Sequence, residues 1–227
     1  MKLVLFDVDN TLIRTPKSHI FAFLSAIKDV YGIEITLEEF KKADTPGLTD
    51  PEILFSVLAD KISKNFIEEK LLFCLKQIEN FFPKYLINET LEILPGVKKL
   101  LEILIKNNTA LGIVTGNLES IAWKKLKKAN IDFYFSIGAF GSDLKQRADL
   151  VKLAIKRAKK HFNQSFDFIY LIGDTPRDVA AGKKVGINTI AVATGNCPKE
   201  VLKETEADLV VENLLENRLL EYLNVKR

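Results

Sequence analysis

The sequence predicts an α/β protein: a Rossmann-like, doubly wound parallel sheet core with an inserted α-helical cap. Three observations carry this. Short apolar runs without alternation, such as Leu3–Phe6 and Phe168–Ile172, read as strands buried on both faces. From Leu94 onward such runs alternate with stretches of helical period, the pattern of a parallel sheet covered by helices. Between the first strand and that alternation, residues 18–86 have helical period almost throughout.

The elements follow in order. Residues 2–8 form the first strand and 9–16 a turn that ends at Pro16. Ile20, Phe23, Leu24, Ile27, Val30 and Tyr31 make one apolar stripe of a helix. Thr36-Leu37-Glu38-Glu39 is a capping-box start. Asp50-Pro51-Glu52 reads as an N-cap with proline at the first helical position. Phe66–Leu86 is a long helix with Ile67, Leu71, Cys74, Leu75, Ile78 and Phe82 on one face, perturbed at Pro83. The block is a module of four or five helices. After Leu94-Pro95-Gly96 come a helix over 97–106, a strand over 110–114 and a helix over 118–128. A short strand over 137–140, a helix over 149–160 and a strand over 168–172 follow. A helix over 178–185, strands over 189–192 and 209–211 and a terminal helix close the chain. The division this predicts is a discontinuous core, residues 1–14 and 90–227, and a cap, residues 15–89.

Composition limits the function classes. The 227 residues are 47% hydrophobic, enough for one large core or a core with a smaller module. The 33 basic and 30 acidic residues are well mixed, giving +3 and no expectation of nucleic acid or of an anionic membrane as partner. Residues 15–89 carry 9 Lys/Arg and 12 Asp/Glu, so the remaining chain is +6, which suits an anionic ligand in the core. Cys74 and Cys197 belong to no CxxC or Cys/His cluster and read as buried thiols of a reducing compartment. No signal-peptide pattern opens the sequence and no apolar run approaches the ~20 residues of a membrane span. A cytoplasmic protein, monomer or homodimer, is expected.

Chemistry collects at strand ends, where ligands bind in open parallel sheets. The first strand ends at Asp7-Val8-Asp9-Asn10-Thr11. Strand alternation points Asp7 and Asp9 the same way, and a like-charged pair wants a cation. An Asx turn needs one Asp, not two. A calcium loop is a poor alternative, because its sixth position would be Leu12 and its twelfth Ser18. The second strand ends at Thr115-Gly116-Asn117. This is either an ordinary strand-to-helix turn capped by Asn117, or a hydroxyl and free N–H groups placed for phosphoryl oxygens. Phe168–Ile172 ends at Gly173-Asp174. There Thr175, Pro176 and Asp178 make a helix start, which explains Asp178 in part but leaves Asp174 unexplained. Lys145 and Arg147 precede a helix, where a cation is unfavourable unless an anion faces it.

With these residues in place, the sequence resembles the haloacid dehalogenase superfamily of phosphohydrolases, in its branch with a helical cap after the first motif, phosphoglycolate phosphatases included. Asp7–Thr11 resembles the D-x-D-x-T motif, Thr115 the strand-end Thr/Ser, and Gly173-Asp174 with Asp178 the GD-x-x-x-D motif. The third motif departs: the family's Lys before Pro-x-Pro meets Lys145-Gln146-Arg147-Ala148-Asp149-Leu150, with no proline. Register with the apolar face of Leu150, Val151 and Ala154 favours Lys145, with Arg147 as the alternative.

The resemblance implies a Mg²⁺-dependent phosphatase acting on a small phosphorylated metabolite. Asp7 would attack phosphorus and form an aspartyl-phosphate. Asp9 would protonate the leaving oxygen and then deprotonate water. Asp7, Asp174 and the backbone carbonyl of Asp9 would hold Mg²⁺, with Asp178 orienting its shell. Thr115 and Lys145, with Thr11, Gly116, Asn117 and Arg147 around them, would hold the phosphoryl oxygens. The loop Thr45–Asp50 and Arg14 are candidate contacts of the cap to substrate. A phosphosugar mutase resembling β-phosphoglucomutase shares every motif. A dehalogenase needs neither Asp9 nor a metal. A non-catalytic phosphate-binding module would not need a complete acid/base residue.

Overall fold

The computed structural model describes residues 1–226. Among them the strands are β1 (Lys2–Phe6), β2 (Ala110–Thr115), β3 (Ile137–Phe140), β4 (Phe168–Gly173), β5 (Asn188–Val192) and β6 (Leu209–Val211). They form one sheet in the order β3-β2-β1-β4-β5-β6, and every neighbouring pair is parallel. The expected unalternated strands are real: β2 is buried at all six positions and β1 at its last four. Each connection must therefore cross a face of the sheet, and helices supply the cover.

Those helices are α5 (Val97–Lys106), α6 (Glu119–Lys128), α7 (Arg147–Phe162), α8 (Pro176–Val185), α9 (Lys199–Lys203) and α10 (Asn217–Tyr222). One face of the sheet packs Val4, Phe6, Ile113 and Ile172 against α5, α6 and α10. The other packs Leu3, Leu5, Val114 and Leu171 against α7 and α8. The segment Lys199–Lys203 was not expected as a helix; its five residues carry too little periodicity to show.

The block after β1 holds four helices, α1 (Lys17–Tyr31), α2 (Leu37–Lys42), α3 (Asp50–Leu58) and α4 (Lys64–Leu86). They share an apolar cluster that includes Phe23, Ile27, Leu54, Ile78 and Phe82. That cluster also takes in Leu118 and Ile121 at the start of α6, so this insert leans on the core beside the end of β2. The capping box at Thr36 forms with Glu39, as its sequence indicates. At α3 the cap is Thr49, not Asp50: Thr49 and Glu52 close a second box and Asp50 becomes the first helical residue. Pro83 sits inside α4, which continues to Leu86. Among the described residues no helix is long and apolar enough to cross a membrane.

Candidate active site

β1 lies in the middle of the sheet, with β2 on one side and β4 on the other. Beyond their carboxyl ends is the crevice where strand order reverses, the usual ligand position in such sheets. Asp7, Asp9, Thr115, Gly116, Asn117, Arg147 and Asp174 all line a cavity of about 590 Å³ at this place. More than 100 residues of sequence separate Asp7 from Thr115, and topology alone brings them together.

Asp7 and Asp174 are 6% and 4% exposed. With Asp178 they place carboxylate oxygens within 4.8 Å of one another. Burial and the neighbouring carboxylates push Asp7 up to about 7, against the opposing pull of Arg147. Burial, Asp7 and Asp178 likewise push Asp174 upward. A bound divalent cation would reverse both penalties, and an all-carboxylate set is the hard-oxygen chemistry that Mg²⁺ takes. The acidic cluster therefore fits a metal ion.

Asp178 has both oxygens engaged elsewhere. Oδ2 accepts from the Thr175 hydroxyl at 2.6 Å and its backbone N–H at 3.1 Å, closing the predicted capping box of α8. Oδ1 accepts from Nε of Arg147 at 2.6 Å. Asp178 thus ties the first turn of α8 to Arg147.

For the third motif the structure differs from the preferred reading. Arg147 is the first residue of α7, and its guanidinium lies 2.7 Å from Asp7 and 2.5 Å from Asp178. Lys145 is outside this cavity; its Nζ stands 5.7 Å from the Phe55 ring, beside a separate groove of the insert. The reason is the helix start. Without Pro-x-Pro, α7 begins at Arg147, and counting back from its apolar face by the family spacing runs two residues past that start, to Lys145.

Asp9 makes a contact that sequence reasoning missed. Its carboxylate accepts from Nζ of Lys125 at 2.6 and 2.9 Å and from the Asn117 amide at 2.7 Å. Lys125 is fully buried and also donates to Asn117 Oδ1 at 2.5 Å. Its Nζ lies 3.0 Å from Nδ1 of His19 on α1. An ammonium can only donate, so Nδ1 is the acceptor and Nε2 carries the ring proton. Burial opposes the charge on Asp9, but the Lys125 ammonium and the hydrogen bonds from Lys125 and Asn117 outweigh it and hold the carboxyl below its ordinary range. A signal existed: Lys125 falls on the α6 face with Ile121, Ala122 and Leu126, where a lysine needs a partner. His19 likewise stands one turn before Phe23 on the buried side of α1.

Thr115 is buried, and its hydroxyl accepts from the Asn117 amide at 2.7 Å. Thr11 is buried outside the cavity, and its hydroxyl has no hydrogen-bond partner among the described residues.

The loop before α3 closes over the crevice. Asp50 N–H donates to Gly116 O at 2.8 Å, and Leu118 N–H donates to Asp50 Oδ2 at 2.7 Å. Arg177 pairs with Asp44 at 2.6 Å and donates to Pro46 O. Thr45, Pro46, Gly47, Leu48 and Asp50 line the cavity, as does Arg14.

Comparison with known proteins places this arrangement. The family model "Haloacid dehalogenase-like hydrolase" matches residues 4–192. A pyrophosphatase PpaX of Oceanobacillus iheyensis is 25% identical over 94% of this chain and 94% of its own. A phosphoglycolate phosphatase of Aquifex aeolicus is 25% identical over 98% of this chain and all of its own. Among solved structures, a β-phosphoglucomutase of Clostridium difficile superposes with TM-score 0.74 at 22% identity, covering 97% of this chain and 95% of that one. A hydrolase of Pseudomonas syringae gives 0.73 at 22% identity, over 99% and 98%. With its sheet order, strand-end aspartates and family match over most of its length, the chain belongs to the haloacid dehalogenase-like hydrolases.

Proposed function

We propose that this hydrolase is a Mg²⁺-dependent phosphatase that releases phosphate from a small phosphorylated metabolite through an aspartyl-phosphate on Asp7. The observation that carries the reading is the buried trio Asp7, Asp174 and Asp178, braced by Arg147 at the end of the central strand. In this reading residues 1–14 and 90–227 are the catalytic domain and 15–89 the cap. Mg²⁺ held by Asp7, Asp174 and the Asp9 backbone carbonyl would neutralise phosphoryl charge. A carboxylate oxygen of Asp7 attacks phosphorus as the bond to the leaving oxygen breaks, and Asp9 gives that oxygen its proton. Water then attacks the same phosphorus, Asp9 takes the water proton, and the bond to Asp7 breaks. Lys125 favours the carboxylate form of Asp9, the form the second step needs. Thr115 Oγ1, the loop N–H groups and Arg147 are donors for the phosphoryl oxygens.

The test is phosphate release from a panel of phosphomonoesters, with Mg²⁺ and with chelator, for wild type and Asp7→Asn. Metal-dependent release that the substitution abolishes supports the reading. Undiminished release by Asp7→Asn removes the nucleophile. Interconversion of sugar phosphates without net phosphate release would instead indicate a mutase.

A further inference from the structure

The cavity has two chemically different halves. The core half carries Asp7, Asp9, Asp174 and Arg147. The half contributed by the helical insert carries most of the apolar lining, Ile20 and Phe23 of α1, Phe40 of α2, Leu48 of the following loop and Ile53 of α3, interspersed with Thr15, His19, Lys41, Thr45 and Asp50. Phosphate belongs to the first half, so the group esterified to it extends into the second.

The charges around that second half decide what it accepts. Among the described residues, the Arg and Lys side chains that line the cavity are Arg14, Lys41 and Arg147. Arg147 is engaged by Asp7 and Asp178. Arg14 turns away, to Thr194 O at 2.6 Å and Glu92 at 3.6 Å. Lys41 is exposed, so its charge is hydrated. The charged group buried on the insert side is Asp50, 1% exposed and 3.4 Å from His19 Nε2. A second anion on the substrate would lose its water there and meet Asp50, with every lining Arg or Lys either engaged or left in solvent. An apolar group would gain from the same burial.

We propose that the leaving group is uncharged and largely apolar, and that the substrates are phosphate monoesters of alkyl or arylalkyl alcohols. This rests on the phosphatase reading and narrows it, away from substrates with a second phosphoryl or carboxylate group. The cavity volume of about 590 Å³ lies inside the range that small-molecule pockets occupy.

The experiment compares benzyl phosphate with 2-phosphoglycolate and inorganic pyrophosphate on the full chain with Mg²⁺. The first two esters both leave as primary alkoxides, so kcat/KM reports the remainder of the leaving group. Benzyl phosphate is expected to be favoured at least ~10-fold over each anionic competitor, in line with discrimination by apolar pockets. Ile20→Arg should lower that ratio at least ~10-fold by placing a cation in the apolar wall. A wild type that prefers 2-phosphoglycolate or pyrophosphate overturns the proposal while leaving phosphatase activity intact. If no ester is turned over, the phosphatase reading falls, and calorimetric binding still decides the pocket. Tighter binding of 2-phenylethylphosphonate than of 3-phosphonopropionate upholds it; the reverse order, or binding of neither, overturns it.

Discussion

Nζ of Lys125 lies 2.6 Å from one carboxylate oxygen of Asp9 and 2.9 Å from the other, and the lysine is wholly buried. This ammonium fixes the direction in which Asp9 faces and ties it to His19 of the insert. Lys125→Met should lower kcat at least ~100-fold, the scale of a lost acid/base residue, with a much smaller change in KM. Lys125→Arg should recover part of kcat. Because one partner of a buried pair is removed, Lys125→Met should also cost about 3 kcal/mol in denaturant titration. Unchanged kcat would show that Asp9 does not depend on this contact.

Arg147 and Lys145 separate cleanly. Arg147→Ala should reduce kcat/KM at least ~100-fold, because it removes the cation that faces Asp7 and the partner of Asp178. Lys145→Ala should stay within about threefold of wild type, since it removes only an exposed group near Phe55. Arg147→Lys should fall between, having one ammonium where a planar fork spans two carboxylates. Steady-state kinetics on any active ester decides this, and the opposite order would restore Lys145 to the site.

The metal-free protein should lose stability as pH rises from about 4 to about 7. Asp7 is raised to about 7 in the fold, so the folded state binds its proton more tightly than the unfolded state does. The stability gained from that proton is complete below the unfolded value and is lost as pH climbs through the folded one. Asp174 acts in the same direction. Melting temperatures in chelator across this window should show the slope, and Asp7→Asn should flatten it. Mg²⁺ should raise the melting temperature more at pH 8 than at pH 5, because metal and proton compete for the same oxygens.

Gly116 packs directly against the insert loop. A Cβ there would lie 2.2 Å from Leu48 O, and the Gly116 carbonyl already accepts the Asp50 N–H. Gly116→Ala should hold the loop Thr45–Asp50 off the crevice and lower kcat/KM roughly tenfold or more, with a small loss of stability. Faster proteolysis of that loop would report the displacement. Full activity and unchanged proteolysis would mean that this contact is not needed for closure.

Much of this was legible in the sequence because the relevant physics is local. Leu3–Phe6 and Phe168–Ile172 read as strands from their short unalternated apolar runs, although Phe168 at the start of β4 is exposed, and Thr175-Pro176-Arg177-Asp178 announces a helix start by its capping residues. Strand-end position then joined Asp7, Thr115 and Asp174 without knowledge of any contact. What escaped depended on the exact start of a helix or on contacts across the chain. The choice between Lys145 and Arg147 turned on where α7 begins, two residues from the family register. The bond from Lys125 to Asp9 spans 116 residues. Thr49 displaced Asp50 as the cap of α3 because both are good caps, and only Thr49 has an acceptor three residues on at Glu52.

The double duty of Asp178 has a consequence for how the protein fails. The carboxylate that closes the first turn of α8 is the one that steadies Arg147 against Asp7. Helix ends open more readily than the body of a sheet. Fraying of this single turn would disarm the site while β1, β2 and β4 stayed paired. Mild heat or low denaturant should then silence turnover before circular dichroism or tryptophan fluorescence registers any unfolding. Activity becomes the earliest gauge of the molecule's local integrity.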